Sequence, residues 1–482
     1  MAEPTYLRHA LIAARNDQGW TQAVAADRVG VAESTWQRWE HGEVSPRLPQ
    51  MVRVAEAFKV SLERARSWFA RGAQAEETPG TTDITRPMPE SVDALQGDLL
   101  VPWLGARLAC SSLADTVEVA SELWRWDVDP SRRALLSSLP FVPTALREWV
   151  ASITLDPGAD SRGHAGTSRT VGIEDVHRMH DAIDAFVDMD HRYGGKLTRP
   201  AIVHFLDTEA APLLNGRYTD EVGSQLMSAA AAMTTLAGWS AYDLAEHGLA
   251  QSHYGQALAL AKAADDPLTL AWVLATASQQ AIDLQQPELA VRLARAAQLA
   301  SQEVACPPRV RAVLLLREAR ASAVEIELAE TPDRHTISRV ERLLGAAEDA
   351  FMDITPDDDD PRWAHDLDHA ELLAEAGCVW RMIGYYQRAA DNAQVALNEF
   401  DSTFVRSRQF NVIHRGQALL ELGELDAALT ITQQALPLSI NQRSTRSVDL
   451  VRSFNNQLNA YASEPAVMEW RDQLRAALPS AA

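Results

Sequence analysis

Several clusters in this 482-residue chain hold side chains whose types and spacing could do chemistry. In HRMHDAIDAFVDMDH, His177, His180 and Asp184 fall on one helical face, and two imidazoles with a carboxylate can hold zinc or a similar ion. The spacing is not that of HExxH, solvated side chains account for it equally, and no metal is assigned. DMDHRYGGKLT carries the lysine of a phosphate loop, but Asp190 and Leu197 stand where such a loop needs a glycine and a hydroxyl. Gly194 and Gly195 are then expected to end a helix. TPDDDDP (355–361) could attract a cation and reads as a solvated loop between helices. With no GxSxG, no paired cysteine and histidine signature and no dinucleotide fingerprint, no catalytic residue, no cofactor and no enzymatic role are expected.

Binding groups are more numerous. Asparagine holds a peptide backbone well because its amide both donates and accepts. RQFNVIHRG offers Asn411 and His414, the two residues chosen as ligand-binding candidates. Asn392, Asn398, Asn455, Asn456 and Asn459 are further amides, and Arg381, Arg406 and Arg408 could bind a carboxylate. A polar groove wall is the competing reading for each.

The stretch TQAVAADRVGVAESTWQRWEHG, Thr21 to Gly42, has a different character. Thr21 can cap a helix in which Val24, Ala25 and Val29 face inward. Gly30 suits a left-handed corner. A second helix then starts near Glu33 and ends at Gly42, with Trp36 and Trp39 inward and Val31 at the turn. Two short helices at a corner make a helix-turn-helix, whose second helix fits a major groove about 12 Å wide. Thr21, Gln22, Glu33, Ser34, Thr35, Gln37 and Arg38 are the candidate DNA-binding residues. Arg38 can pair with guanine O6 and N7. Gln22 sits at a helix start that can receive a phosphate. Ser34 and Thr35 can touch phosphate or a thymine methyl. Glu33 either accepts from a cytosine N4 or rests on the helix dipole.

The elements around this pair follow from apolar spacing. A helix bearing Leu7, Leu11, Ile12 and Ala14 comes before it. Helices bearing Met51, Val54, Ala55 and Phe58, and then SLERARSWF, come after it, giving five. The pattern Thr21, Gln22, Ala26, Gly30, Val31, Thr35, Trp36, Trp39, Glu40, Gly42 and Pro46 resembles the lambda-repressor-like, Cro-type (XRE) family over about residues 5–70. The resemblance implies a DNA-binding domain. Ala25 and Trp36 depart from the family's usual leucine and isoleucine and read as volume compensation. Ala32 replaces its usual capping hydroxyl, and Glu33 is acidic where many relatives carry an amide.

Charge separates this module from the rest. Residues 1–72 carry a balance of +2, against −22 for the whole chain, so the remainder carries −24 and is repelled by phosphate. Residues 73–98 read as a flexible linker and 99–155 as a helical connecting segment, followed by a polar break. From 170 to 482 alanines recur seven apart: Ala250 and Ala257, Ala290 and Ala297, Ala389 and Ala396, Ala428 and Ala435, with Val340 and Ala347 as a weaker copy. The first two copies are offset by 40 residues and the last two by 39, with the weaker copy midway in the 99-residue gap between them, and Gly384 and Gly423 each precede a first alanine by five. Small residues seven apart lie on one helix face and let a neighbour approach. The pattern resembles tetratricopeptide repeats, with a capping hairpin after residue 445.

The fold class expected is therefore all-α, a five-helix helix-turn-helix domain joined by a linker to an α-solenoid of helical hairpins. With AGWSAYD in the body, the domain order resembles a group of actinobacterial transcriptional regulators and, more distantly, peptide pheromone-sensing regulators of Gram-positive bacteria. That resemblance implies a homodimer on double-stranded operator DNA whose body senses a peptide, protein or small-molecule ligand. A protein-interaction scaffold whose first domain has lost DNA binding is the alternative. Cys110, Cys306 and Cys378 are far apart and read as buried thiols. Arg8 and His9 interrupt the first apolar stretch, and no apolar run reaches the roughly 18 residues of a membrane span, so a cytoplasmic protein without a membrane partner is expected.

Overall fold

The computed structural model describes residues 20–41 with scattered positions between 11 and 69, and then 112–146, 169–329, 333–356, 358–401, 403–436 and 444–478. Gly19, Gly42, Met51, Ala55, most of the fifth expected helix, the linker 73–98 and Cys110 lie outside the described residues. Every regular element among the described residues is helical, apart from one isolated bridge between Thr170 and Arg217. The chain divides into two units, Met1–Met88 and Pro89–Ala482.

In the first unit α1 (Gln22–Val29) and α2 (Glu33–Glu40) meet at a corner. The Thr21 hydroxyl accepts from the Val24 amide at 3.3 Å and starts α1. Gly30 stops it with φ 69°, and its amide points back at the carbonyls of Ala26 and Asp27. Ala32 supplies no side-chain cap to α2. Trp36 and Trp39 are buried, with ring centroids 5.7 Å apart, and join Leu11, Ala25, Ala26, Val29, Val54 and Phe58 in one core. Phe58 stacks on Trp36 at 6.0 Å and Phe69 meets Trp39 edge-on at 5.8 Å. One inward assignment is corrected. Val24 is 40% exposed, and Ala26 takes its place. Ala25, Ala26 and Val29 define the buried stripe, and Val24 lies one step of about 100° off it.

The second unit is a run of antiparallel hairpins. Before them come α3 (Leu113–Val128), α4 (Pro130–Ser137), α5 (Ile173–Tyr193), α6 (Gly195–Phe205) and α7 (Ala211–Leu214). The solenoid follows as α8 (Asp220–Asp243) with α9 (His247–Ala263), α10 (Pro267–Asp283) with α11 (Pro287–Ser301), and α12 (Pro308–Glu327) with α13 (Arg334–Met352). It continues as α14 (His369–Met382) with α15 (Tyr386–Glu399) and α16 (Val405–Glu421) with α17 (Leu425–Thr432). α18 (Thr445–Gln457) and α19 (Pro465–Ala477) close it. Each alanine pair of the repeat lies on the second helix of a hairpin, or directly after it for Ala435, and all are buried, as are Val340 and Ala347. Their small side chains let α9, α11, α13, α15 and α17 sit close to their partners.

Of the connecting segment expected over 99–155, the structure describes 112–146, which packs against the helices that follow. Val117, Ala120 and Trp124 of α3 pack into the core that α5, α6 and α8 build, and Leu123 and Trp126 enter the core of the hairpins. A buried ion network fixes α3 there. Asp127 pairs with Arg199 of α6 and accepts from His253 Nε2 at 2.9 Å, while Arg199 also holds Glu246 at 2.6 Å. Gly194 ends α5 as the sequence implied.

Among the described residues of the second unit, five helix junctions use the turn that Gly30 makes in the first. A residue in the left-handed region ends the helix, and the amide after it reaches back to a carbonyl five positions earlier: Glu246 to Ala241, Asp266 to Ala261, Gln286 to Ala281, Tyr385 to Trp380 and Glu424 to Leu419. Gly384 and Gly423 take this conformation with φ 86° and 79°, but Ala245, Asp265 and Gln285 take it with φ 61°, 54° and 54°. A side chain in that region costs roughly 1–2 kcal/mol, partly offset by the greater unfolded freedom of glycine. Gln285→Gly is therefore expected to stabilise the body by about 0.5–1 kcal/mol, and Gly384→Ala to destabilise it by a similar amount. Thermal melting of the full chain reads both shifts, and a fall in Tm for Gln285→Gly would contradict this account of the turns.

Candidate nucleic-acid interface and ligand cavity

The face of α2 is set by one buried carboxylate. Glu40, 1% exposed, accepts from Arg15 Nε at 2.6 Å, Gln22 Nε2 at 2.6 Å and Trp36 Nε1 at 2.8 Å. Arg15 also donates to the Trp20 carbonyl at 2.8 Å. The preceding helical residues, the start of α1 and the core indole of α2 are thus tied to the last turn of α2. Burial pushes the Glu40 carboxyl up, and the donors from Arg15, Gln22 and Trp36 outweigh it and hold it below its ordinary value.

With Trp36, Trp39 and Glu40 inward, Glu33, Ser34 and Arg38 face solvent, and Gln37 and Thr35 are half-buried. Positions 33, 34, 37 and 38 share one stripe of a helix about 12 Å long, a length that fits a major groove. His41, not singled out from sequence, continues this stripe and is exposed. Thr21 is exposed beside it and spends its hydroxyl on the α1 cap. Gln22 is half-buried, and the amide N–H that could have reached a phosphate donates to Glu40 instead. Glu33 stands in the first turn of α2, where the helix dipole favours a carboxylate.

The body holds an open-sided cavity of about 1010 Å³, lined by the first helix of successive hairpins, α8, α10, α12, α14 and α16, and by Arg446 of α18. α5 walls one side through Ile183, Asp184, Val187 and His191. The loop before α14 supplies Asp360 to Leu367. Long-range pairs hold this wall in place. Arg406 binds Asp190 at 2.7 Å, Arg362 pairs with Asp184, and Arg309 binds Asp360 at 2.7 Å. Trp272 and Trp363 stack at 5.7 Å with planes 3° apart, and Trp239 and Phe410 add further aromatic faces.

Asn411 and His414 both line this cavity. Asn411 is buried and donates to the Ala393 carbonyl at 3.0 Å, while His414 Nδ1 meets Gln417 Oε1 at 3.2 Å. The other amide candidates do not line it: Asn392 and Asn398 lie on α15, a second helix, and Asn455 and Asn459 accept from Arg471 at 3.0 and 2.7 Å. The three arginine candidates are already committed, Arg381 to Glu327, Arg406 to Asp190, and Arg408 to the carbonyls of Leu397 and Phe400. His180 lines the cavity, but Asp184 of the same trio is taken by Arg362, and no group of three or more metal-binding side chains is gathered among the described residues. The acidic loop is not simply solvated, since Asp360 and Pro361 form part of the cavity edge.

Sequence reasoning missed Arg317, Arg320, Glu371 and Cys378 on this wall. Arg320 binds Glu375 through both oxygens, at 2.9 and 3.1 Å. Burial pushes the Cys378 thiol up, but the charge of Arg320 and a hydrogen bond with His414 bring it down to about 7. Burial and the neighbouring Glu375, Asp366 and Asp368 push Glu371 up to about 8, so it is largely protonated at neutral pH. Cys378 is buried as expected, whereas Cys306 is half-buried.

Residues 11–64 match the model of the helix-turn-helix family, the stretch that contains α1, α2 and the Glu40 cluster. No curated protein matches the chain significantly. Among the described residues, no helix is long and apolar enough to cross a membrane.

Removing the Glu40 carboxylate strands Arg15. Glu40→Ala is expected to cost the first unit about 3–5 kcal/mol, the usual penalty for breaking a buried pair. Because the folded carboxyl is held low, its stabilisation is present above the ordinary 4.5 and is lost as pH falls through the depressed value. Hydrogen exchange of amides 22–40 in the intact chain should accelerate in the variant, and in the wild type on acidification below that range. Unchanged protection in Glu40→Ala would contradict the role given to this carboxylate.

Proposed function

We propose that this protein is a sequence-specific DNA-binding transcriptional regulator whose helical body dimerises and senses a ligand held in its cavity. The observation that carries the DNA half is the braced α2. Glu40 and the two indoles hold its inner side, so Ser34, Gln37 and Arg38 are presented together on a rigid element within a helix-turn-helix domain. Arg38 reads a guanine, Thr21 and the α1 start meet phosphate, and Glu33 accepts from a cytosine or stays on the dipole. The body, carrying the −24 balance, does not add phosphate contacts.

Support for sensing comes from the cavity. Its volume is that of a drug-sized ligand site, and it combines aromatic faces with a few buried polar groups. Asn411 and His414 stand in its wall. The hairpin stack is tetratricopeptide-like in its small-residue pairs, and such a body is a natural place for two copies to meet. Occupancy of the cavity shifts operator affinity by favouring one of two states of the regulator. The protein works in the cytoplasm, without a cofactor.

Gel shifts with genomic fragments test the first half. The wild type should select discrete fragments, and Arg38→Ala should bind them roughly 5- to 100-fold more weakly while relaxing preference at one base pair, with Tm unchanged. Binding to no fragment would support a scaffold without DNA binding, and equal affinity for all fragments would contradict sequence-specific reading.

A further inference from the structure

The cavity wall carries a cation that the fold leaves without an ion pair or hydrogen bond among the described residues. Four guanidiniums there have an acid: Arg320 on Glu375, Arg406 on Asp190, Arg446 on Asp283 and Arg362 on Asp184. Arg317, one turn before Arg320 on α12, has neither ion pair nor hydrogen bond among the described residues, and its Nε and one terminal nitrogen are shut away from solvent. Glu375, the acid whose charge acts on it most strongly, gives both oxygens to Arg320. Glu371, the other glutamate of this wall, is pushed up to about 8 by burial and by its acidic neighbours, so it supplies little negative charge at neutral pH.

A guanidinium held out of water without a partner is costly, and folded proteins keep one where something else completes it. Its planar fork matches a carboxylate through two parallel N–H···O bonds. Beside it the cavity is aromatic: Trp272 and Trp363 lie parallel, and Trp239 and Phe410 contribute further ring faces. Such faces take a flat or apolar body.

Resting on the reading of the body as a ligand sensor, we propose that its ligand is an amphipathic carboxylate, with the acid on Arg317 and the apolar body among the tryptophans. The carboxylate belongs either to a free organic acid or to the C-terminus of a short peptide.

The test uses the full chain with two fluorescent probes, pyrenebutyrate and the uncharged pyrenebutanol, titrated by energy transfer from tryptophan. The acid should bind at least about 10-fold tighter than the alcohol, the scale of one well-placed charged pair. Arg317→Met should erase that preference without weakening the alcohol, and Arg317→Lys should keep part of it. The unliganded Arg317→Met protein should melt no lower than the wild type, since it loses only an unpaired charge. Equal affinity for acid and alcohol, or a preference that survives Arg317→Met, overturns the carboxylate assignment and leaves the cavity as a ligand site. Failure of both probes to bind overturns the sensor reading itself. The acid-versus-alcohol comparison on the wild type stands even if the variant misfolds. Displacement of pyrenebutyrate by acetyl-Leu-Trp-Leu with a free C-terminus, but not by its amide, assigns the carboxylate to a peptide end. Displacement by neither assigns it to a free organic acid.

Discussion

The orientation of α2 depends on a carboxylate taken out of water. Glu40 has donors from three places in the sequence, Arg15, Gln22 and Trp36, and no apolar side chain could replace it. Apolar packing around Trp36, Trp39 and Phe58 supplies the attraction, but such packing is non-directional and tolerates rotation of a short helix. The hydrogen bonds to Glu40 remove that freedom. They decide which stripe of an eight-residue helix is inside and therefore which side chains a duplex meets. The same interaction engages the side-chain amide of Gln22 in the Glu40 cluster.

The body solves a different problem. Its hairpins need close helix approach and sharp reversals, supplied by buried alanines and by left-handed residues at helix ends. Second helices take the alanines and pack outward of the cavity, while first helices carry the charged and aromatic side chains that face it. α5 then crosses to α16 through the Asp190–Arg406 pair, which joins residues 216 apart in sequence and walls one side of the cavity. Buried ion pairs are weak sources of stability, because desolvation offsets most of their attraction. Here they fix geometry, and Arg317 is a cation of the cavity wall with no ion pair among the described residues.

Much of the fold is legible in the sequence because its signals are local. Thr21, Gly30 and the spacing of Trp36 and Trp39 specify the helix corner, and alanines seven apart specify the hairpins. Val24 was misplaced because periodicity within an eight-residue helix fixes the buried stripe only to within one residue. The turns at Gly384 and Gly423 announce themselves, whereas the equivalent turns at Ala245 and Gln285, each five residues before an alanine pair, use residues that carry no signature for φ above zero. Asn411 and His414 lie three residues apart on one helix, so a local pattern could name both, and both line the cavity. Arg317, Trp272 and Trp363 could not be named so, since the cavity is assembled from residues 180 to 446 and no local pattern marks which of them face one another. Glu40 fits a sequence pattern without revealing its job, because a buried acid and an exposed one look alike until their donors are placed.

The central claim is that α2 enters a major groove with Arg38 toward a guanine edge. Dimethyl sulfate protection tests it directly, since the reagent methylates guanine N7 in that groove and adenine N3 in the minor groove. The account predicts that the intact protein shields guanine N7 atoms in two clusters about one helical turn, roughly 34 Å, apart. Shielding confined to adenine N3, or none at a bound fragment, would contradict it.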